Sequence, residues 1–327
     1  MNTTLNIALA GEFELCEKIA EMLEQSELNV QNLSIVEIFP FTEEQGVRFN
    51  NKAVPQIEPD KADWATFDYL FFAGNVEQAA HILSAADAGC VVIDMKGVCA
   101  TLSEVPVVVP TVNEADLVEL RQRNIVALPD PQVSQFALLM QPILQNANVA
   151  NVSVTSLLPA SYFENENVRK LAGQTAQLLN GIPLDEGQQR LAFDVLPLIQ
   201  GHLARQAQKI FPQLDNVTLH AVQVPVFYGL GQMLSVTLDY EFDQKSILNE
   251  WQQHSYIEYH SEKVLTPVTN GEQESQQDSV QLHINLLNTQ QTPAGIELQC
   301  WSVADEQRFN LAWLAVKLAE AVVKQGF

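Results

Sequence analysis

Two periodicities divide the chain. Up to about residue 130, short apolar runs alternate with segments whose apolar residues return at helical spacing. Leu5–Ala10, Leu33–Ile38, Tyr69–Phe72, Cys90–Asp94, Val105–Val109 and Ile125–Leu128 are the runs, and each predicts a strand. Between them Leu15, Ile19 and Leu23 mark one helical face. Val76–Ala88 predicts a second helix that Gly89 can close, and Asn113 to about Arg123 a third. Inside Val47–Val54, Asn50–Asn51 suits a tight hairpin turn. Strands alternating with helices imply a parallel, doubly wound sheet, so residues 1–130 predict a Rossmann-like domain of the dinucleotide-binding type.

The rest of the chain has a different grammar. Leu234, Val236, Leu238, Tyr240 and Phe242 alternate with Ser235, Thr237, Asp239 and Glu241, and Val280, Leu282, Ile284 and Leu286 with Gln281, His283 and Asn285. Period two marks half-buried strands, here expected in an antiparallel sheet, with helices near 164–180, 198–211 and 246–253 over its apolar face. Thr266–Ser279 is polar and reads as a surface loop. A last helix, about Phe309 to Val323, carries Phe309, Ala312, Trp313 and Val316 on one stripe.

Composition narrows the function classes. With 47% apolar residues in 327 the chain has material for two domains and a sizeable core. Lys+Arg 17 against Asp+Glu 40 leaves a net charge of −23, which repels phosphodiester backbones and anionic membrane surfaces. No nucleic-acid or membrane partner is expected. Cys16, Cys90, Cys99 and Cys300 are scattered, as free thiols of a reducing compartment would be. No basic n-region precedes the first apolar run, and no stretch has the apolar length to span a bilayer, so the expected location is cytoplasmic.

The junction between the two halves is the place for chemistry. Ile125–Leu128 runs into Asp130–Pro131, where Asp suits an N-cap and Pro the first helical position, and Val133, Phe136, Ala137 and Met140 follow at helical spacing. A strand feeding a helix N-terminus commonly presents a nucleophile, because the dipole lowers a thiol's pKa. The stretch Ile125–Ile143 resembles the segment I-I-A-N-P-N-C-S-T-I-Q-L-V-x-x-L-x-P-L of aspartate-semialdehyde dehydrogenases, with Ala127, Pro129, Gln135 and Pro142 in place. The family's cysteine falls on Pro131 and its neighbouring Asn on Asp130.

The resemblance extends along essentially the whole chain and fails at the chemical positions. Gly11-Glu12-Phe13-Glu14-Leu15-Cys16-Glu17 stands where the family has G-A-T-G-x-V-G, so one glycine survives and carboxylates replace the pyrophosphate cradle. Phe39–Glu44 resembles F-P-L-A-S-x-R with acids in place of the ribose-phosphate ligands. Phe72–Asn75 resembles S-A-G-G, Val92–Met95 resembles the end of V-V-I-D-N, and Pro110–Asn113 resembles P-E-V-N. Gln223–Gln232 resembles R-V-P-V-x-x-G-H-S-E, and there the substrate-binding Arg becomes Gln223 and the acid–base His becomes Leu230. The substrate-contacting Lys and Glu fall on His202 and Gln206, and Ser-Gly-Ala-Gly becomes Leu158–Ser161. Trp301–Arg308 resembles W-x-V-x-D-N-L-R, but the K-G-A-A that follows becomes Phe309–Ala312.

The resemblance therefore implies an α/β protein with a Rossmann-like domain over 1–130, an α+β dimerisation domain over 131–308, and a C-terminal helix, 309–327, returning to the first. The chain looks like the Usg-type branch of the family, which keeps the fold without the catalytic residues. It implies a homodimer acting as a binding or regulatory protein, with an unidentified protein or small-molecule partner. No catalytic residue, no cofactor and no metal are expected, Gly11, Gly74 and Asn113 being vestiges of cofactor binding. The alternative is an NAD(P)-dependent oxidoreductase of amino-acid biosynthesis acting on an aldehyde through a displaced nucleophile, which would require NADP. Cys16, beside Glu14 and Glu17, and Cys99, without a local histidine, are poor candidates for that role. The six histidines show no metal-spaced cluster apart from the His254/His260 pair. The dimer is expected on the polar sheet face of Thr237, Asp239, Gln281, His283 and Asn285, with Asp239 and Glu241 at its rim.

Overall fold

In the computed structural model, residues 4–42, 44–163, 165–238, 242–271 and 280–327 are described. The chain forms two compact units, Met1–Ser134 with Asn310–Phe327, and Gln135–Phe309.

The first unit is a parallel sheet of β1 (Leu5–Ala10), β2 (Val30–Val36), β5 (Gln56–Ile57), β6 (Tyr69–Phe72), β7 (Val91–Asp94) and β8 (Ile125–Ala127), with a two-residue-arm hairpin of β3 (Arg48–Phe49) and β4 (Lys52–Ala53) beside it. Strand order is β5-β2-β1-β6-β7-β8, and every pair in it is parallel. β1 lies inside the order with Ile7, Ala8 and Leu9 fully buried, as an apolar run flanked by covering helices must be. Helix α1 (Phe13–Glu24) buries Leu15, Ile19 and Leu23, and α2 (Ala79–Asp87) follows a short 3-10 turn and ends before Gly89, at φ 93°. Asn50 and Asn51 turn the hairpin at φ 49° and 61°, the left-handed pair that a two-residue turn needs.

Two expectations fail here. Val105–Val109 is not a strand and makes a single bridge, Val107 to Ala127. Pro106 and Pro110 lack the N–H groups a ladder needs, and the Asn113 side chain takes both the Val109 N–H (2.9 Å) and the Val107 carbonyl (2.8 Å). The third helix is a 3-10 helix, Glu114–Gln122, whose buried residues Leu117 and Leu120 are spaced by three, the repeat of that helix.

Helix α3 (Pro131–Asn146) carries the chain from the first unit into the second. There β9 (Val149–Leu158), α4 (Asn165–Leu179), β10 (Leu196–Leu198), α5 (Leu203–Ile210), β11 (Val217–Gln223), β12 (Leu230–Leu238), α6 (Gln244–Gln253), β13 (Ile257–Tyr259), β14 (Leu282–Thr292) and β15 (Gly295–Ala304) follow in order. The sheet, ordered β10-β11-β9-β12-β15-β14-β13, is mixed rather than antiparallel as expected, because β11 pairs β9 and β13 pairs β14 in parallel. Parallel neighbours need a long crossover, and α4 and α5 supply one between β9 and β11. The apolar face packs as the alternation predicts, with Val152, Val154, Leu234, Val236, Leu282, Ile284 and Leu298 buried. Trp251 of α6 is fully buried and donates its ring N–H to the Leu139 carbonyl at 3.1 Å.

The opposite face differs from the open one expected. His283 is buried, and the chain after β13 runs across this end of the sheet. Asn285 Nδ2 donates to the Lys263 carbonyl (3.2 Å) and Trp301 Nε1 to the Leu265 carbonyl (3.0 Å). Asp239–Glu241 of the expected Leu234–Phe242 strand, and Glu272–Ser279 of the expected loop, lie outside the described residues. The final helix opens as a π-helix, Glu306–Trp313, and continues as α7 (Leu314–Lys324). Asp305 caps it, its Oδ1 accepting from the Gln307 and Arg308 N–H groups at 3.0 and 2.9 Å. Among the described residues no helix is long and apolar enough to cross a membrane.

Candidate functional site

In the first unit the turn from β1 to α1 is shaped by packing. A Cβ on Gly11 would stand 3.1 Å from the Ala73 Cβ, so glycine lets β1 end close beside β6. The Phe13 ring meets Phe41 edge to face at 5.4 Å between centroids. Burial and then the neighbouring Glu14 hold the Glu17 carboxyl above its ordinary range, a sign of crowded negative charge at this helix start. A Cβ on Gly74 would meet the Phe72 ring at 2.6 Å and Ile38 at 2.8 Å. Asn113, besides holding Val107 and Val109, donates to Asp116 at 2.8 Å. Gly11, Gly74 and Asn113 thus each do structural work. Glu43, in the segment that resembles the ribose-phosphate site, lies outside the described residues.

At the start of α3, Asp130 Oδ1 accepts from the Gln132 N–H at 2.9 Å, the N-cap expected from the sequence. Pro131 is buried at the first helical position, and its carbonyl accepts from Asn310 Nδ2 at 3.2 Å. Its ring offers neither thiol nor N–H.

In the second unit Gln135 is fully buried and donates through Nε2 to Ser302 Oγ at 2.8 Å. The same group reaches the Leu230 carbonyl at 3.4 Å. The Leu230 side chain is in an apolar cluster with Leu158 and Ala221, against Tyr162, Phe163 and Leu198. Gln223, at the end of β11, is buried, His202 is exposed just before α5, and Gln206 is buried within it. Gly229, at φ 94°, precedes Leu230, and a Cβ there would meet Pro267 O at 2.8 Å.

One buried group went unnoticed in the sequence. Glu306 is fully buried, accepts a short hydrogen bond from Ser161 Oγ and accepts the Gly229 N–H at 3.0 Å. Burial first, and the adjacent Asp305 second, push its pKa up to about 7. Its signal was the doubled acid Asp305-Glu306 ahead of an apolar stripe, where one carboxylate caps the helix and the next must turn inward.

All four thiols are free and buried. Burial, the largest cause in each case, pushes Cys16, Cys90 and Cys300 up to about 12 and Cys99 up to about 11. The His254/His260 pair is not brought together as a site, and His254 Nδ1 accepts the Tyr256 N–H at 3.1 Å. Instead His260 meets His283 and Glu258, correcting the expectation that the histidines form no cluster with metal-ligand character.

This fold is shared with the aspartate semialdehyde dehydrogenases. The chain is 59% identical over 327 residues to a USG-1 protein homolog of Haemophilus influenzae, covering all of both chains. It is 30% identical over 345 residues to aspartate-semialdehyde dehydrogenase 2 of Vibrio cholerae, again over 100% of each. The crystal structure of aspartate semialdehyde dehydrogenase II from Vibrio cholerae matches it with a TM-score of 0.87 at 27% identity, over 99% of this chain and 100% of that one. No family model matches the chain. The chain belongs to the aspartate-semialdehyde dehydrogenase family, as a member related to the USG-1 proteins.

Proposed function

We propose that this chain is a non-catalytic member of its family, a homodimeric binding or regulatory protein. The observation that carries the reading is Leu230, which fills with hydrocarbon, among Leu158, Ala221, Phe163 and Leu198, the position where the family motif has an imidazole. Acyl-transfer dehydrogenation needs a thiolate to add to the aldehyde and a group to move the proton. Pro131 cannot supply the first, and Leu230 cannot supply the second. Gln223 adds that no guanidinium is present there to fork a substrate carboxylate.

The enzyme alternative gains nothing from the remaining thiols, since burial disfavours the thiolate at all four. Nicotinamide dinucleotides do not fit the β1–α1 turn. Phe13 and Phe41 occupy it as an edge-to-face pair, Glu12, Glu14 and Glu17 crowd the helix start, and Gly11 is needed against Ala73. For the dimer, the part of the polar sheet face that β12 contributes supports the reading, with Met233 exposed and Ser235 and Thr237 beside it.

The test is repair. Pro131→Cys alone is expected to give no phosphate-dependent oxidation of aspartate semialdehyde, because groups that act as a unit are strongly non-additive. Turnover by the unmodified chain would refute the reading, and turnover by this single variant would refute the part given to Gln223 and Leu230. Light scattering at low micromolar protein tests the dimer, which a monomer mass would exclude.

A further inference from the structure

We propose that Glu258, His260 and His283 form a binding site for a divalent transition-metal ion of the zinc class. The three come from two neighbouring strands by simple geometry. Glu258 and His260 are two residues apart at the end of β13 and so share a face, and the parallel register sets Glu258 directly beside His283 of β14. The His260 N–H donates to the Ile284 carbonyl at 2.8 Å, fixing the backbone where the ring departs.

The donor atoms already stand at ligating separations. His260 Nε2 and His283 Nδ1 are 3.1 Å apart, His283 Nδ1 and Glu258 Oε2 3.2 Å, and His260 Nε2 and Glu258 Oε1 3.5 Å. Ligands at the roughly 2.0–2.1 Å of a tetrahedral zinc ion lie about 3.3 Å from one another. Each ring nitrogen stands near that spacing from the other and from one Glu258 oxygen, and one ligand atom from each residue lies within 4.8 Å of the others. The two ring nitrogens stand at hydrogen-bonding distance, and when a cation binds, the ring that donates takes its other tautomer, its proton moving to the far ring nitrogen so that both lone pairs face the ion. Two imidazoles and one carboxylate favour zinc, nickel or copper over calcium or magnesium, which seek oxygen.

Access and charge fit as well. The His side chains are 11% and 9% exposed while Glu258 is 47% exposed, so an ion enters from the carboxylate side and keeps that side for water. Burial, more than any neighbour, holds both imidazoles below their ordinary range and so in the neutral, ligating form, although Glu258 pulls the other way. Lys263 is the opposing cation, and it is exposed and solvated. An ion here would fasten β13, at the edge of the sheet, to β14. This site is independent of the proposed loss of catalysis.

Calorimetric titration of the full chain with Zn2+ tests it, with Co2+ as a second probe read by its visible ligand-field bands. One ion per chain should bind at micromolar concentration or below, and cobalt should show the intense spectrum of four-coordination. Glu258→Gln is exposed and conservative and should leave the fold intact. With His260→Gln it should weaken binding by at least the tenfold to hundredfold that losing a supporting group costs. Absence of binding would overturn the proposal, and so would an affinity in both variants unchanged from the parent, which would mark adventitious binding elsewhere.

Discussion

The turn after β1 and the turn before β12 meet the same problem differently. Both stand where the family motif carries chemistry, and both carry other residues there. In the first unit the replacements are charged or bulky, and what persists is glycine spacing, Gly11 against Ala73 and Gly74 against Phe72. In the second the replacement is Leu230, in an apolar cluster, and buried polar side chains close by make hydrogen bonds. Gln135 holds Ser302, Gln232 donates to Ser156 at 3.0 Å, and Glu306 holds Ser161 and Gly229. A buried polar network is costly to dismantle piecemeal, since each lone partner pays its desolvation in full. The lesson is that the first turn is set by close backbone packing and the second by a buried hydrogen-bonded network, two different ways of fixing a strand end.

The largest expected effect breaks the second of these turns. Gly229→Ala imposes a Cβ at φ 94° and within 3.0 Å of Pro267 and Gly271 backbone atoms, which should cost on the order of 3 kcal/mol or more. Denaturant unfolding measures it, and a loss under about 1 kcal/mol would show that the segment around Pro267 simply moves.

A smaller effect isolates Glu306. Its pKa in the folded chain is raised from 4.5 to about 7, so below pH 4.5 both states are protonated and no stability is lost. Between pH 4.5 and about 7 the unfolded chain releases the proton first, and stability falls as pH rises, by on the order of a few kcal/mol for a fully buried group. Glu306→Gln can donate to Ser161 and accept from Gly229, imitating the protonated acid. The variant should therefore be more stable than the parent at pH 8 and lose the slope between pH 6 and 7. The slope at lower pH should persist, because Asp94, raised to about 6 by burial against the pull of the backbone N–H groups of Cys99, Val98, Lys96 and Gly97, has the same sign. Thermal unfolding across pH decides, and an unchanged profile would discredit the role given to Glu306.

The smallest expected effect is none. Saturating NADP should leave the melting temperature unchanged, since a ligand stabilises only the state it binds. A rise of a few degrees, about 1 kcal/mol for a chain of this size, would show that Phe13 and Phe41 move aside.

Much of the fold was legible because its signals are local. Leu5–Ala10 and Tyr69–Phe72 are strands over the expected residues, Asn50–Asn51 makes the hairpin, and Asp130–Pro131 starts α3. The departure from the family motif at Pro131, Gln223 and Leu230 was equally legible, because a side chain's functional group is fixed by its residue type. Pairing direction was not. Period two reports which residues share a face and says nothing of which strand lies alongside, so the parallel β9–β11 and β13–β14 pairs came only with the structure. Val105–Val109 looked like a strand until its flanking prolines and the Asn113 side chain were set beside it.

The sequence by itself determined the class of most elements, the starts of helices such as α3, and which functional groups the side chains carry. Tertiary structure alone decided the meetings across long separations, such as Ser161 with Glu306 at 145 residues and His260 with His283 at 23. The physical reason is range. Propensity, capping and periodicity act over a few residues, whereas a desolvated carboxylate or a pair of facing imidazoles exists only once strands far apart in the chain have been brought into register.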